Sequence, residues 1–175
     1  MRTAMALVVT LLAPAWILAA APEKFHYVGE VKLSSATGQP TGSQVFLVEK
    51  TYDRDKATII ERAVVVQQDG KVEEWTMRLT VKDDNTFTLT DDSGKAEGSG
   101  KLFGPAWKWT YFKATYKASN GVQIDDENFM ADDTAGTARK KITGPDGNVL
   151  MYMDMTLKGI TPKTFEILRT GLMKK

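Results

Sequence analysis

Ile59-Ile60-Glu61-Arg62-Ala63-Val64-Val65-Val66-Gln67-Gln68-Asp69-Gly70-Lys71-Val72-Glu73-Glu74-Trp75-Thr76-Met77-Arg78-Leu79-Thr80-Val81 is the stretch that decides the fold. In its second half Trp75, Met77, Leu79 and Val81 share one face of an extended chain, while Glu74, Thr76, Arg78, Thr80 and Lys82 share the other. A period of two with one apolar and one polar face marks a half-buried strand of an antiparallel sheet. Between the two apolar runs, Asp69-Gly70 offers the pair tolerant of positive φ that a two-residue hairpin turn needs. The stretch therefore reads as two strands, 59–68 and 72–81, folded back on each other.

The pattern recurs on both sides. Upstream, Phe25, Tyr27, Val31 and Leu33 alternate through a first strand, a loop with Gly38, Pro40 and Gly42 covers 34–43, and a second strand runs through 45–51. Downstream, Asp83-Asp84-Asn85 and Ser93-Gly94 turn the chain around a strand at 86–90 and into a segment at 95–104. There Gly98 and Gly100 suggest a bend, as where a sheet curves to close on itself. Residues 106–117 are expected to form one strand, with Trp107, Trp109 and Tyr111 on one face and Phe112 and Tyr116 on the other. Asn120-Gly121 is a second hairpin turn, and strands follow at 122–130, 138–143 and 149–157. In the tail, Thr161-Pro162 suits the start of a helix, but Thr164, Phe165 and Ile167 favour a strand, and a last strand is the expectation. The total is about ten strands, no long helix and a single domain over residues 21–175. So many meandering strands must hide two edges, and closing into a barrel removes them. The fold class expected is all-β, an antiparallel meander closed into a barrel.

The first twenty residues read differently. Arg2 precedes an apolar run from Ala4 to Ala21 that only Thr10 and Pro14 interrupt, and the run ends in small residues. That order of basic, apolar and small segments is the order of a secretory signal peptide. Residues 1–20 are read as a signal helix, with cleavage after Ala20, which places the mature chain in the periplasm or the medium. No cysteine follows the run to carry a lipid, so no stable membrane anchor is expected after cleavage. The chain has 0 cysteines, and its core must hold it together without disulfides. It carries 23 basic and 22 acidic residues, and losing Arg2 with the signal makes the two numbers equal. Nucleic-acid binders and proteins held on anionic membranes usually show a basic surplus, so neither partner is expected.

Strand number, meander order and mature length resemble the calycin group, which includes lipocalins, fatty-acid-binding proteins and bacterial exported proteins with lipocalin-like domains. The similarity is carried by the rhythm of Trp107-Lys108-Trp109-Thr110-Tyr111, Asp126-Glu127-Asn128-Phe129-Met130 and Leu157-Lys158-Gly159-Ile160-Thr161-Pro162-Lys163-Thr164-Phe165. The Gly-x-Trp motif of lipocalins is absent, and the first strand has Tyr27-Val28-Gly29-Glu30 instead. The resemblance implies a lipocalin-like barrel able to hold a small hydrophobic molecule.

Reactive constellations are sparse. His26 is the sole histidine, so no paired-histidine metal site or cysteine–histidine pair can form, and it is expected to be an ordinary surface or rim residue. No cofactor and no metal are implied. Asp83-Asp84-Asn85, Asp91-Asp92 and Asp132-Asp133 lack the spacing of a calcium loop and read as turns. Asp126 stands out among the acids. If Ile124 and Met130 point inward, so do Asp126 and Asn128, and an inward carboxylate must be paired or neutralised.

The strongest feature is apolar. Met151, Met153 and Met155 share one face of a strand, and Trp75, Met77, Trp107, Trp109 and Tyr111 add wide flat surfaces from two others. Methionine suits surfaces that accommodate varied shapes. These eight side chains are expected to line a cavity for a small apolar or amphipathic ligand, such as a lipid or fatty acid, with Asp126 or Asn128 orienting its polar end. The same side chains could simply fill the barrel. The protein would then be an envelope structural or assembly module with a protein partner at its rim. A third reading is a hydrolase or isomerase using Asp126 with a tyrosine.

Overall fold

The computed structural model describes residues 21–173 apart from positions 68, 95, 106, 119 and 133. The signal helix expected over residues 1–20 lies outside the described residues. Ten strands follow in order: β1 (Glu23–Ser35), β2 (Pro40–Asp53), β3 (Thr58–Val66), β4 (Val72–Val81), β5 (Thr86–Asp91), β6 (Glu97–Phe103), β7 (Tyr111–Lys117), β8 (Gln123–Asp132), β9 (Ala135–Thr143) and β10 (Val149–Ile160). Each pairs antiparallel with its successor, and β1 also pairs with β10, from His26 opposite Ile160 to Ser35 opposite Met151. The sheet is thus a closed barrel with no free edge, as the meander predicts.

Alternation sends every second side chain inward and splits the interior into two clusters. Tyr27, Val31, Leu33, Phe46, Val48, Ala63 and Leu157 form one. Ile59, Met77, Leu79, Val81, Phe87, Leu89, Leu102, Ala114 and Tyr116 form the other, and Trp75 packs against both. The glycines of β6 allow close approach. A Cβ at Gly98 would collide with the Tyr116 Cβ and the Thr115 carbonyl of β7, and one at Gly100 with the ring of Phe87 and the carbonyl of Lys113. One aromatic ring and the neighbouring strand therefore close on bare backbone where the sequence suggests only a bend.

Two segments differ from the sequence reading. The tail is not a strand but helix α1 (Pro162–Met173). Its start is capped, because Thr161 Oγ1 accepts the Thr164 N–H at 3.1 Å, and Pro162 fills the first helical position. Phe165, Arg169 and Leu172 recur at helical spacing on the side that meets the barrel. Phe165, only 1% exposed, packs on Leu47 and Val64, which point outward from β2 and β3, and Leu172 joins that cluster. Arg169 donates to Glu74 at 3.2 Å. Because β1 and β10 already pair, an eleventh strand would have no edge to join, and a helix on the outer face is what remains.

The second difference is the segment read as one strand over 106–117. Only Tyr111–Lys117 is strand, and the preceding residues form a loop in which Gly104 and Trp107 adopt left-handed backbone, with φ of 118° and 61°. The loop resets which residues face in. Phe112, Ala114 and Tyr116 point into the barrel, with Phe112 edge-on to Phe87 at 6.1 Å. Tyr111 turns its ring to the outer surface, between Phe103 at 5.1 Å and Phe129 at 4.5 Å.

The packing predicts opposite outcomes for the same change at different glycines. Gly98→Ala and Gly100→Ala should each cost about 1–3 kcal/mol through overpacking. Gly171→Ala, in α1 with nothing within 4 Å of the added methyl, should gain roughly 0.5–1 kcal/mol. Urea denaturation of the purified domain measures all three.

Candidate functional site

Four charged side chains occupy inward positions. Lys50 follows Phe46 and Val48 along β2, Glu61 precedes Ala63 on β3, Asp126 lies on β8, and Lys140 follows Ala138 on β9. Lys50, 4% exposed, pairs with Glu61 at 3.1 Å. Lys140 pairs with Asp126 at 2.9 Å, and Asp126 is 6% exposed. The other oxygen of Asp126 accepts the Asn128 amide at 2.6 Å, and Lys140 donates to the Tyr116 hydroxyl at 3.4 Å. The Lys140 ammonium also lies 5.8 Å from the centre of the Trp75 ring, and that of Lys50 lies 5.6 Å from Phe112. Two cations and two carboxylates leave the set neutral.

Electrostatics hold both lysines and Glu61 in their charged forms. Burial opposes the charge on Lys140, but Asp126 first, then Tyr116 and Glu61, outweigh it and hold the ammonium well above its usual range. Burial likewise opposes Lys50, and Glu61 more than reverses it. Burial pushes the Glu61 carboxyl up, yet Lys50 and Lys140 together bring it below its ordinary value. Burial raises the Tyr116 phenol, so it stays protonated.

The space left inside is small. A cavity of about 40 Å³ lies among these charges, Trp75, Met77 and the apolar wall of Ile59, Leu79, Leu89 and Leu102. That is room for about three waters, at roughly 10–15 Å³ for each. The larger space is at the barrel's mouth, about 420 Å³, lined by Phe25, Tyr27, Tyr52, Trp107, Trp109 and Met130, with Glu23, Arg54, Lys108 and Thr110. Its walls are aromatic pairs: Phe25 meets Tyr52 edge-on at 5.5 Å, and Trp107 lies 5.0 Å from Trp109. The Trp109 indole N–H donates to Asn85 Oδ1 at 3.3 Å, and Arg54 pairs with Glu23 at 2.8 Å. Tyr52, Trp109 and Met130 border both spaces.

The residues singled out from sequence divide accordingly. Trp75, Met77, Asp126 and Asn128 line the interior cavity, Trp107 lines the mouth, and Trp109 lines both. Tyr111 borders the interior cavity, but its ring stacks outside with Phe129. Met153 and Met155 pack against the cluster of Tyr27, Val31 and Leu33. Met151 lies opposite Ser35, near the far end of the barrel, and none of the three methionines borders either space. His26 is neither a surface nor a rim residue. It is 8% exposed beneath α1, its Nε2 3.1 Å from Glu49 Oε2 and its ring 5.0 Å from that of Phe165. Sequence reading missed Lys50, Glu61, Lys140, Phe25 and Tyr52. Counting in twos from Val48 and Ala138 marks both lysines as inward. Among the described residues no three histidines, aspartates or glutamates are grouped to hold a metal, and no helix is long and apolar enough to cross a membrane.

The barrel is similar to solved structures. The S-type phycobiliprotein lyase CPES from Guillardia theta superimposes with a TM-score of 0.55 at 11% identity, over 78% of this chain and 87% of that one. The ywiB protein from Bacillus subtilis gives a TM-score of 0.39 at 12% identity, over 81% and 96%. No protein-family model matches the sequence. No curated protein matches it either. At such identities the likeness concerns the fold: a ten-strand, lipocalin-like antiparallel barrel.

The buried charges generate two predictions. Lys140→Met leaves Asp126 buried without its cation and should cost about 3–5 kcal/mol, most of it recovered when Asp126→Leu is added; denaturation midpoints of the single and double variants measure this. Because the fold holds the Glu61 carboxyl below its ordinary 4.5, the unfolded chain takes up that proton first. Its contribution is present above pH 4.5 and lost as pH falls through the folded value. Stability measured against pH should therefore fall on the acid side less steeply in Glu61→Gln than in the wild type.

Proposed function

We propose that this is an exported binding protein that holds a small apolar or amphipathic molecule, such as a fatty acid or another lipid, at the aromatic mouth of its barrel. The observation that carries the reading is the aromatic lining of the mouth, where Phe25 meets Tyr52 edge-on at 5.5 Å and Trp107 lies 5.0 Å from Trp109. The mouth, at about 420 Å³, falls within the usual range of ligand pockets, roughly 300–1,000 Å³. The interior below it is filled by side chains and paired charges. The rings of Phe25, Tyr52, Trp107 and Trp109 would take the apolar part of the ligand, and Lys108 at the rim an anionic end, Arg54 being paired with Glu23. Export follows from reading residues 1–20 as a signal peptide. Asp126 has both oxygens engaged, by Lys140 and Asn128, which suits holding the interior together better than transferring protons.

A separate observation favours a second reading, an envelope module with a protein partner. Phe103, Tyr111 and Phe129 stack in a row on the outer face, and Phe129 is 51% exposed. Exposed aromatic rows of this kind suit protein contacts.

Native mass spectrometry of the mature protein purified from the envelope of its own cells, followed by solvent extraction, tests the first reading. One hydrophobic molecule per chain is the expected result. A bare mass, with tryptophan emission unmoved by fatty acids and phospholipids, overturns it, and an envelope protein that co-purifies at equal stoichiometry supports the second.

A further inference from the structure

We infer that Trp109 sets the length of ligand the barrel accepts, with Asn85 positioning it; this rests on the reading of the mouth as the ligand site. Three side chains border both the mouth and the interior cavity, namely Tyr52, Met130 and Trp109. They are the partition between a space of about 420 Å³ and one of about 40 Å³. Two of them stand on the hydrogen-bonded ladder. Tyr52 is paired in register with Ile59 on β3, and its ring is braced edge-on by Phe25. Met130 is paired with Gly136 on β9 and packs against the inner apolar cluster.

Trp109 stands on neither ladder. It belongs to the loop between β6 and β7, where its indole packs on the inner apolar cluster, lies 5.0 Å from the Trp107 ring and donates to Asn85 Oδ1 at 3.3 Å, the contact that sets which way its N–H edge points. Asn85 is in turn held in place. Its backbone has φ of 61°, a conformation asparagine tolerates, and its carbonyl accepts the Leu102 N–H at 2.8 Å. The turn between β4 and β5 thereby places a side-chain acceptor over the barrel's end, and that acceptor orients the partition residue that does not stand on the ladder.

What lies behind the partition gives it a consequence for specificity. The cavity beneath Trp109 has Ile59, Leu79, Leu89 and Leu102 on one wall, a surface that fits a few methylenes, and Lys50, Glu61, Asp126 and Lys140 on the rest of its lining. With the indole in place, a chain bound at the mouth stops at the ring. Each further methylene then stays in water and adds nothing. Without the indole, the methylenes that reach the leucine wall enter apolar surroundings, and each strengthens binding by up to about fourfold.

The test is calorimetric titration of the mature protein with saturated fatty acids from hexanoate to palmitate. In the wild type, affinity should climb about fourfold per methylene and then level off at the length that fills the mouth. In Trp109→Ala the climb should continue to longer chains, so that the longest acids bind at least tenfold more tightly than to the wild type while the shortest bind no better. Asn85→Gly, which keeps the left-handed turn but removes the acceptor, should move the plateau the same way by a smaller amount. Asn85→Asp, which keeps an acceptor oxygen, should leave it near the wild-type length. A plateau at the same length in folded Trp109→Ala and Asn85→Gly overturns the role given to Trp109 and leaves the mouth as a binding site. Absence of binding by the wild type across the whole series overturns the ligand reading, and this inference with it.

Discussion

Lys140 is the side chain on which the interior depends. A closed barrel offers its inward residues no water, so an ammonium there must find its counter-charge within the barrel. Lys140 finds Asp126 across the β8–β9 ladder, the Tyr116 hydroxyl from β7 and the face of Trp75 from β4. One cation thus ties four strands together through contacts that only one register allows. Lys50 does the same between β2 and β3 through Glu61, and Glu61 in turn feels both lysines. Slipping any of these strands by one residue would turn a charge outward and leave its partner alone, so the ion pairs specify the register more sharply than the apolar residues around them.

That arrangement has a cost in volume. Side chains long enough to meet near the axis, together with Trp75 and the rings of Phe87, Phe112 and Tyr116, leave almost no empty space at the centre. A more open space lies at the end of the barrel where the β6–β7 loop, the start of β1 and the end of β2 converge. There the aromatic side chains have few neighbours above them, and Trp107 is held in a left-handed conformation that non-glycine residues adopt only when the surroundings enforce it. The structure thus separates a neutral, closely packed shaft from a more open aromatic mouth.

Much of the barrel is legible in the sequence because its signals are local. Asp69-Gly70 and Asn120-Gly121 state their turns, period-two alternation states the strands, and parity from Ile124 places Asp126 and Asn128 inside. The helix was obscured by its own composition. Thr164 and Ile167 are good strand formers, and only the Thr161-Pro162 cap and the spacing of Phe165, Arg169 and Leu172 mark α1, while closure of the sheet, which removes the edge a last strand would need, is not a local property. Trp107 and Trp109 alternate like strand residues although they lie on a loop, since a left-handed residue leaves no mark in a pattern of apolar positions. The buried lysines were missed for a related reason. Charge reads as surface unless strand parity is followed through it, from Val48 to Lys50 and from Ala138 to Lys140.

The tryptophans test whether the proposed ligand meets the mouth and not the shaft. Of the 4 tryptophans in the chain, Trp16 falls in the segment read as signal, so the mature protein carries three indole N–H groups, from Trp75, Trp107 and Trp109. Their resonances in a nitrogen–proton correlation spectrum, followed as decanoate is added, report the two regions separately. The account predicts that Trp107 and Trp109 shift with one shared saturation curve while Trp75, beside Lys140, stays in place. A shift of Trp75 as large as theirs, or none in any of the three, would contradict it.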